Sequence, residues 1–254
     1  MILVLDVGNT NIVLGCIEEN KTHFVARFST DRRKTADEYA INFKNIIELN
    51  GISRADISGC IISSVVPPLT NALKEAVRKT TGIDPMVVGP GIKTGLNITI
   101  DNPAQLGSDL VVDAVAALAE YKAPLIVIDL GTATTVSVVD ALGNYVGGLI
   151  YPGVKISQEA LSSNTSQLPS ISLEAPKKVI GKNTIDCMKS GLINGSAAMI
   201  DGIIDRIEDE IGQPCTVVAT GGLSNAIVPH CRKQIIIDDT LLLKGLLLIY
   251  KKNS

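Results

Sequence analysis

The chain has 254 residues, 46% of them hydrophobic and only 3% aromatic, with a formal net charge of −3. This composition supports one large or two compact domains with an aliphatic core. The slight negative charge and the scarcity of rings argue against a nucleic-acid-binding surface, with or without base stacking.

The N-terminal segment "LVLDVGNTNIV", residues 3–13, predicts two strands joined by a tight turn. An apolar run ends at Asp6, small and polar residues follow from Gly8, and the apolar run then resumes. Small polar residues with glycine are typical of turns, and apolar runs beside them are typical of buried strands. The basic triplet at residues 32–34 is short, and we expect it to lie on a solvated surface.

Helices and strands alternate over the rest of the first half. Thr35 and Glu38 form a capping-box pattern before an amphipathic helix. Residues 59–66 read as a buried strand, and Pro67 predicts the start of the next helix. Ser108 is predicted to be the N-cap of a third helix.

The second half of the chain opens like the first. The segment "IVIDLGTATTV", residues 126–136, places Asp129 and Gly131 where the first segment has Asp6 and Gly8. A repeat offset by about half the chain indicates a duplicated domain. The sequence therefore predicts an α/β protein with a mixed sheet flanked by helices in each half, residues 1–120 and 121–254.

A long helical pattern follows at residues 184–211, with Thr184 as its predicted N-cap. Gly191, Gly195 and Gly202 lie inside this pattern, although interior glycines weaken a helix. Close packing against another helix is one reason to keep them. We therefore expect this helix to contribute to a homodimer interface.

The ends of the chain predict no membrane segment. The N-terminus lacks a basic region followed by a cleavable apolar run. The C-terminal run "LLLKGLLLIYKK" is too short to cross a bilayer and reads as a buried final helix. Five cysteines without a C-x-x-C pair, and two histidines, argue against a zinc site or a disulfide framework. We expect a soluble protein of the cytoplasm.

The two aspartate-glycine turns suggest phosphate chemistry. Small residues leave backbone N–H groups free to meet phosphate oxygens, and Asn9, Thr10 and Asn11 add side-chain donors. A carboxylate at the strand end can hold a cation that bridges to phosphate. Two such turns facing each other would clamp a polyphosphate. The alternative is that each is an ordinary hairpin turn, where aspartate and glycine occur for local reasons.

Seven motifs, in order along essentially the whole chain, resemble those of type III pantothenate kinases in the actin-like ATPase superfamily. They are "DVGNTNI" (6–12), "SSVVPPL" (63–69), "DNPAQLGSD" (101–109), "DLGTATT" (129–135), "GGLIYPG" (147–153), "VIGKNT" (179–184) and "TGGL" (220–223). The resemblance implies two duplicated ribonuclease-H-like domains. It also implies phosphorylation of pantothenate by ATP, the first step of coenzyme A synthesis.

The resemblance also implies roles for individual residues. Asp109 matches the catalytic base, Asp129 matches the ligand of a monovalent cation (K⁺ or NH₄⁺), and Asp6 is expected to hold Mg²⁺. Substrate contacts are expected from Gly107, Ser108, Asp109 and Thr184, the last across a dimer interface. The ATP-binding residues are expected to be Asp6, Val7, Gly8, Asn9, Thr10, Asn11, Ile12, Val13 and Thr132.

Two positions depart from the family pattern. Leu110 stands where the family usually has an arginine for the pantothenate carboxylate, and Ile100 stands where it tends to have a tyrosine. Leucine cannot make the bidentate contact that arginine makes with a carboxylate. Lys93 and Lys155 are candidate replacement cations.

These departures leave other functions open. The acceptor could be a less acidic alcohol related to pantothenate, such as pantetheine. The chain could also be a non-catalytic regulatory paralogue of the Bvg accessory factor type. Retention of the matched site residues argues against this, namely Asp6, Asp109, Asp129 and Thr132. A sugar kinase is a further member of the superfamily, but such chains are usually much longer.

Overall fold

The computed structural model describes residues 1–19 and 21–254, which form two compact units. The first unit contains Met1–Gly95, Asn102–Ala116 and Leu241–Ser254, and the second contains Leu96–Asp101 and Ala117–Thr240. The division predicted between residues 120 and 121 differs from this in two main respects. The C-terminal segment groups with the first unit, and the short segment 96–101 groups with the second.

The first unit is built on a five-stranded mixed sheet with the order β3-β2-β1-β4-β5. Pairing is antiparallel between β1, β2 and β3, and parallel between β1, β4 and β5. The strands are β1 (Ile2–Val7), β2 (Asn11–Glu18), β3 (Lys21–Ser29), β4 (Gly59–Ser64) and β5 (Met86–Val87).

Both faces of the central strand β1 are buried, which explains the apolar run that precedes Asp6. Leu3 and Leu5 belong to the core on one face, together with Phe43. Val4 points to the other face and belongs to a separate core that includes Leu246. The helices of this unit are α1 (Ala36–Leu49), α2 (Pro67–Thr81), α3 (Ser108–Glu120, of which residues 117–120 group with the second unit) and α7 (Leu241–Asn253).

Local signals in the sequence predicted two of these helix starts correctly. The Thr35 hydroxyl accepts a hydrogen bond from the Glu38 N–H, and the Glu38 carboxylate accepts one from the Thr35 N–H, which completes the predicted capping box. Pro67 begins α2, where its missing N–H costs the helix no hydrogen bond.

The second unit contains a six-stranded mixed sheet with the order β11-β10-β7-β8-β9-β6. The strands are β6 (Asn97–Ile98), β7 (Leu125–Leu130), β8 (Ala133–Val139), β9 (Asn144–Pro152), β10 (Thr216–Thr220) and β11 (Ile236–Ile237). The helices are α4 (Val154–Ser163), α5 (Thr184–Ile211) and the single turn α6 (Ser224–Ile227). One face of α5 supplies Ile193, Ile200 and Ile204 to the core of this unit.

The internal repeat is confirmed as a structural duplication. Strands β1 and β2 form an antiparallel hairpin, as do β7 and β8. Each first strand also pairs in parallel on its other edge, β1 with β4 and β7 with β10. Asp6 and Asp129 therefore occupy matching places near the end of a central strand in a mixed sheet.

The final helix α7 is buried, as predicted, and its leucines pack beside β1 and β4. A side chain at Gly245 would collide with the backbone of Val112 in α3, so this close contact between helices requires glycine. In the part of the chain that the structure describes, no helix combines the length and apolarity needed to cross a bilayer.

We expect Leu246→Ala to destabilise the protein by about 2–5 kcal/mol, because it opens a cavity in a fully buried site. Urea unfolding followed by circular dichroism measures this loss. Leu248→Ala is the matched control, since Leu248 lies on the same helix but is 37% exposed. Equal losses for the two variants would contradict the packing described for α7.

Candidate active site

The turn between β1 and β2 has a fixed backbone and exposed polar side chains. The Gly8 N–H donates to the Asn11 carbonyl at 3.0 Å. Thr30, which follows β3, donates its N–H to the Thr10 carbonyl at 2.9 Å and its hydroxyl to the Gly8 carbonyl at 2.7 Å. Asn9, Thr10 and Asn11 remain exposed. Hydrogen bonds from Thr30 therefore fix the backbone of the turn while its polar side chains stay exposed, as a binding loop requires.

Asp6 lies one residue before the end of β1 and is half-buried. Its partner across the parallel pair β1–β4 is Ser63, so the two side chains lie on the same face of the sheet. Ser63 is completely buried. Ligands of α/β proteins commonly bind at the carboxyl ends of parallel strands, which is where this pair lies.

The start of α3 is tied to the same edge of the sheet. The Ser108 hydroxyl lies 3.0 Å from the Ser63 hydroxyl, and it accepts the Ser64 N–H at 3.2 Å. The prediction that Ser108 is an N-cap is wrong: Ser108 is the first helical residue, and the Val111 N–H donates to the Gly107 carbonyl. The hydroxyl bonds to β4 because buried polar groups of that strand need partners.

This tie brings Asp109 to the strand end that carries Asp6. The Asp109 carboxylate accepts the Leu110 N–H at 2.9 Å, and a Cβ at Gly107 would collide with it. Burial raises the pKa of this carboxyl above its usual range, and the hydrogen bond from Leu110 opposes the shift. A half-buried carboxylate with a raised pKa is a stronger base than an exposed one.

Asp129 lies one residue before the end of β7, beside the turn between β7 and β8. Asp129 lies in register with Thr135 on one side and Thr220 on the other. The Thr135 hydroxyl is buried and has no hydrogen-bond partner among the described residues. Gly221 has a φ of +91°, and a Cβ there would collide with the Asp129 carboxylate. The arrangement fits an oxygen-ligated cation.

The second turn is also closed by a bond from its glycine, but it is one residue shorter than the first. The Gly131 N–H donates to the Ala133 carbonyl at 3.2 Å. Thr132, between them, is exposed. A Cβ at Gly153 would collide with the carbonyl of Thr132, so the α4 start lies close against this turn.

Thr184 is the first residue of α5 and is exposed, but the prediction that it caps the helix is wrong. Asn183 is the N-cap: its side-chain oxygen accepts the Asp186 N–H at 2.9 Å, and its amide donates to the Asp186 carboxylate at 2.8 Å. This reciprocal pair fills the capping position, which leaves the Thr184 hydroxyl at the surface.

The structure thus groups the predicted residues by unit. Asp6, the first turn, Ser108 and Asp109 lie in the first unit, together with Leu110. Asp129, Thr132, Thr184 and Ile100 lie in the second. Of the two candidate replacement cations, Lys93 has its backbone held by the side chain of Asn253, and Lys155 lies exposed in the first turn of α4.

One residue beside the first turn was not predicted. Arg32 donates from its guanidinium to the side-chain oxygen of Asn9 at 2.9 Å. The sequence indicated only a solvated basic triplet at this point. The signal that could have found it is the pairing of β2 with β3, which places Ser29 opposite Asn11 and so returns the chain to the turn.

Two mixed sheets, each with an acidic residue near the end of its central strand and a small-residue turn after it, define an actin-like ATPase fold. Solved structures with this fold include a Campylobacter jejuni protein of the Baf transcriptional-activator family (20% identity, TM-score 0.62, 99% of this chain and 98% of that one). They also include the activator of 2-hydroxyisocaproyl-CoA dehydratase from Clostridium difficile with bound ADPNP (16% identity, TM-score 0.54, 98% of this chain and 92% of that one). A third is the ROK hexokinase of Thermus thermophilus (11% identity, TM-score 0.53, 100% of this chain and 99% of that one).

Sequence similarity identifies the family. The family model for type III pantothenate kinase matches residues 2–206. A type III pantothenate kinase from Bacillus cytotoxicus is 47% identical over 254 residues, which cover 100% of this chain and 97% of that protein. The chain belongs to the type III pantothenate kinase family.

Proposed function

We infer that this protein transfers the γ-phosphoryl group of ATP to pantothenate, giving 4'-phosphopantothenate and ADP, the first step of coenzyme A synthesis. The observation that carries this conclusion is the 47% identity to a type III pantothenate kinase along the full chain. As a kinase of this family it uses ATP with a divalent metal ion. Its five cysteines are all free thiols, which supports a cytoplasmic location.

We propose that Asp109 is the general base. In phosphoryl transfer the acceptor hydroxyl must lose its proton as its oxygen bonds to phosphorus. Its raised pKa makes Asp109 a stronger proton acceptor than an exposed aspartate. The bond from Ser108 to β4 holds the start of α3, so the carboxylate stays in place during the reaction.

The first turn is proposed to bind the phosphates of ATP through the backbone and side chains of residues 8–11. Asp6, at the strand end just before it, is proposed to hold Mg²⁺ directly or through water. The bound metal neutralises charge that develops on the phosphate oxygens. The role of the protein is to fix the loop, which the two hydrogen bonds from Thr30 achieve.

Asp129 is proposed to hold a monovalent cation, K⁺ or NH₄⁺, and Thr132 to contact ATP. The unpartnered hydroxyl of Thr135 beside Asp129 supports a cation there, because a buried oxygen atom needs a donor or an ion. Glycine at position 221 lets the backbone approach the Asp129 carboxylate closely, where a side chain would collide with it.

The acceptor's carboxylate must be held without an arginine at position 110. Leu110 is half-buried and follows the proposed base directly, so an apolar side chain lies where the acid is expected to bind. Leu110 and Ile100 favour a second candidate acceptor, a pantetheine-like alcohol without the carboxylate. The likeness to the Baf-family structure is one of fold and does not favour a regulatory role.

A homodimer is proposed to form through α5. The face that carries Gly191 and Gly195 is open: among the described residues, nothing beyond the adjoining residues and backbone of α5 itself lies within 4 Å of a Cβ built at either position. Val179 and Ile180, which are 69% and 81% exposed, line the same groove of about 500 Å³. A second copy would cover these apolar groups, and Thr184 would then reach the partner's substrate.

We expect Asp109→Asn to lower kcat for pantothenate by about 10²- to 10⁴-fold, the usual contribution of a positioned base. A coupled ADP-release assay with ATP and Mg²⁺ measures this loss, with Asp37→Asn as the control, since Asp37 belongs to an exposed surface ion pair.

In the wild type, kcat/KM should fall as the pH drops through the raised pKa of Asp109, because the protonated carboxyl accepts no proton. An Asp109→Asn variant that keeps the rate and this acid limb would contradict the role.

The same assay, run on pantothenate and pantetheine, separates the two acceptors. Leu110→Arg should lower the KM for pantothenate and leave that for pantetheine unchanged, since only pantothenate offers a carboxylate for a bidentate contact. Wild-type turnover of pantetheine alone would overturn pantothenate as the acceptor.

We expect Gly195→Arg to convert a dimer to a monomer, because a long charged side chain cannot be covered by the apolar face of a second copy. Light scattering after size exclusion gives the mass. Asp209→Arg, an equally exposed site near the other end of α5, is the matched control. A wild-type protein that is monomeric at micromolar concentration would rule out the proposed interface.

A further inference from the structure

The first phosphate-binding turn has no positive charge of its own. The residues from Val7 to Val13 are apolar, small or neutral polar, and the residue before them, Asp6, is acidic. ATP is polyanionic, and phosphate sites in proteins usually combine backbone N–H groups with a cationic side chain. A cation for this turn has to come from another segment.

Arg32 is placed to supply that cation. Its guanidinium donates to the side-chain oxygen of Asn9 at 2.9 Å, in the middle of the turn, and both side chains are exposed. Asn9 is its one hydrogen-bond partner within the chain as described (residues 1–19 and 21–254). A guanidinium has five N–H donors, so the others are available to a ligand at the turn.

Hydrogen bonds at the two residues before Arg32 fix the backbone that leads into it. Thr30 is bonded to the turn through its N–H and its hydroxyl. Asp31 is clamped by the phenol of Tyr39, which accepts the Asp31 N–H at 3.1 Å and donates to the Asp31 carbonyl at 2.8 Å. Tyr39 is completely buried in α1. The backbone leading to the arginine therefore needs little ordering when a ligand binds, which favours affinity.

The neighbouring cations point elsewhere. Arg33, 92% exposed, pairs with the Asp31 carboxylate at 3.3 Å. The ammonium of Lys34 lies 5.8 Å from the centre of the Tyr39 ring. Of the three consecutive basic residues, Arg32 alone contacts the turn, so the triplet is not a uniform solvated patch.

We propose that Arg32 binds the terminal phosphates of ATP, keeping one N–H on Asn9 and donating others to phosphate oxygens. This rests on the proposed function, which supplies ATP as the ligand of the turn. Arg32 is then a substrate-contacting residue of the kinase reaction. A weaker alternative is that Arg32 only positions Asn9, and the experiment separates the two.

Calorimetric titration of the full chain with Mg²⁺ and ATP, and with adenosine alone, tests the proposal. Arg32→Ala should weaken ATP binding by about 10- to 100-fold, the range for a charge-assisted hydrogen bond, and change adenosine binding less than about 2-fold. Arg32→Lys should recover part of the lost ATP affinity, because lysine keeps the positive charge but lacks the planar set of N–H donors of the guanidinium. Arg33→Ala, one residue away, should bind ATP like the wild type. Thermal unfolding checks that each variant is folded.

The outcomes are distinct. Equal ATP affinity in Arg32→Ala and Arg33→Ala overturns the proposal. The proposal is also overturned if adding Arg32→Ala to a protein that already carries Asn9→Ala causes no further loss of ATP affinity. Arg32 would then act only through Asn9. If the wild type phosphorylates no acceptor while its ATP affinity still depends on Arg32, the proposed function fails and the phosphate contact stands.

Discussion

The hydrogen bond between Ser63 and Ser108 is the contact on which the candidate active site depends. It joins two residues 45 positions apart in sequence, one at the end of a central strand and one at the start of α3. Ser63 is fully buried, so its hydroxyl needs a partner, and the partner is the residue before Asp109. Because Ser63 lies in register with Asp6, this bond, together with the bonds between Ser108 and the backbone of Ser64, brings Asp6 and Asp109 to the same strand end.

The duplication gives each unit the same starting arrangement, an acid near the end of a central strand and a glycine turn. The surroundings then differ. In the first unit the strand end gains Asp109 and Arg32, which suit proton and phosphate chemistry. In the second, Asp129 has threonines on both neighbouring strands and glycine backbone against it, which suits an ion. One repeated motif thus has two different surroundings.

Local patterns predicted much of this from the sequence. The hairpins, the capping box at Thr35 and the long helix Thr184–Ile211 each depend on residues close together in the chain. Apart from the cap of α5, where Asn183 and not Thr184 bonds to Asp186, the misses depend on distant contacts. Ser108 bonds to β4 and not to its own helix, and α7 groups with the first unit because its leucines pack on β1. Arg32 looked like a surface residue because nothing local indicates that its neighbours are tied to the first turn.

A double-mutant cycle on Ser63 and Ser108 tests the central contact most directly. Each serine-to-alanine change should cost about 1–3 kcal/mol of stability, with a coupling of about 0.5–3 kcal/mol between them. Ser108→Ala should also lower kcat on the order of 10- to 100-fold, although Ser108 is not the base, because a misplaced carboxylate reacts poorly. Ser58→Ala, exposed just before the other end of β4, should match the wild type. Additive losses in stability, with an unchanged kcat in Ser108→Ala, would contradict the account.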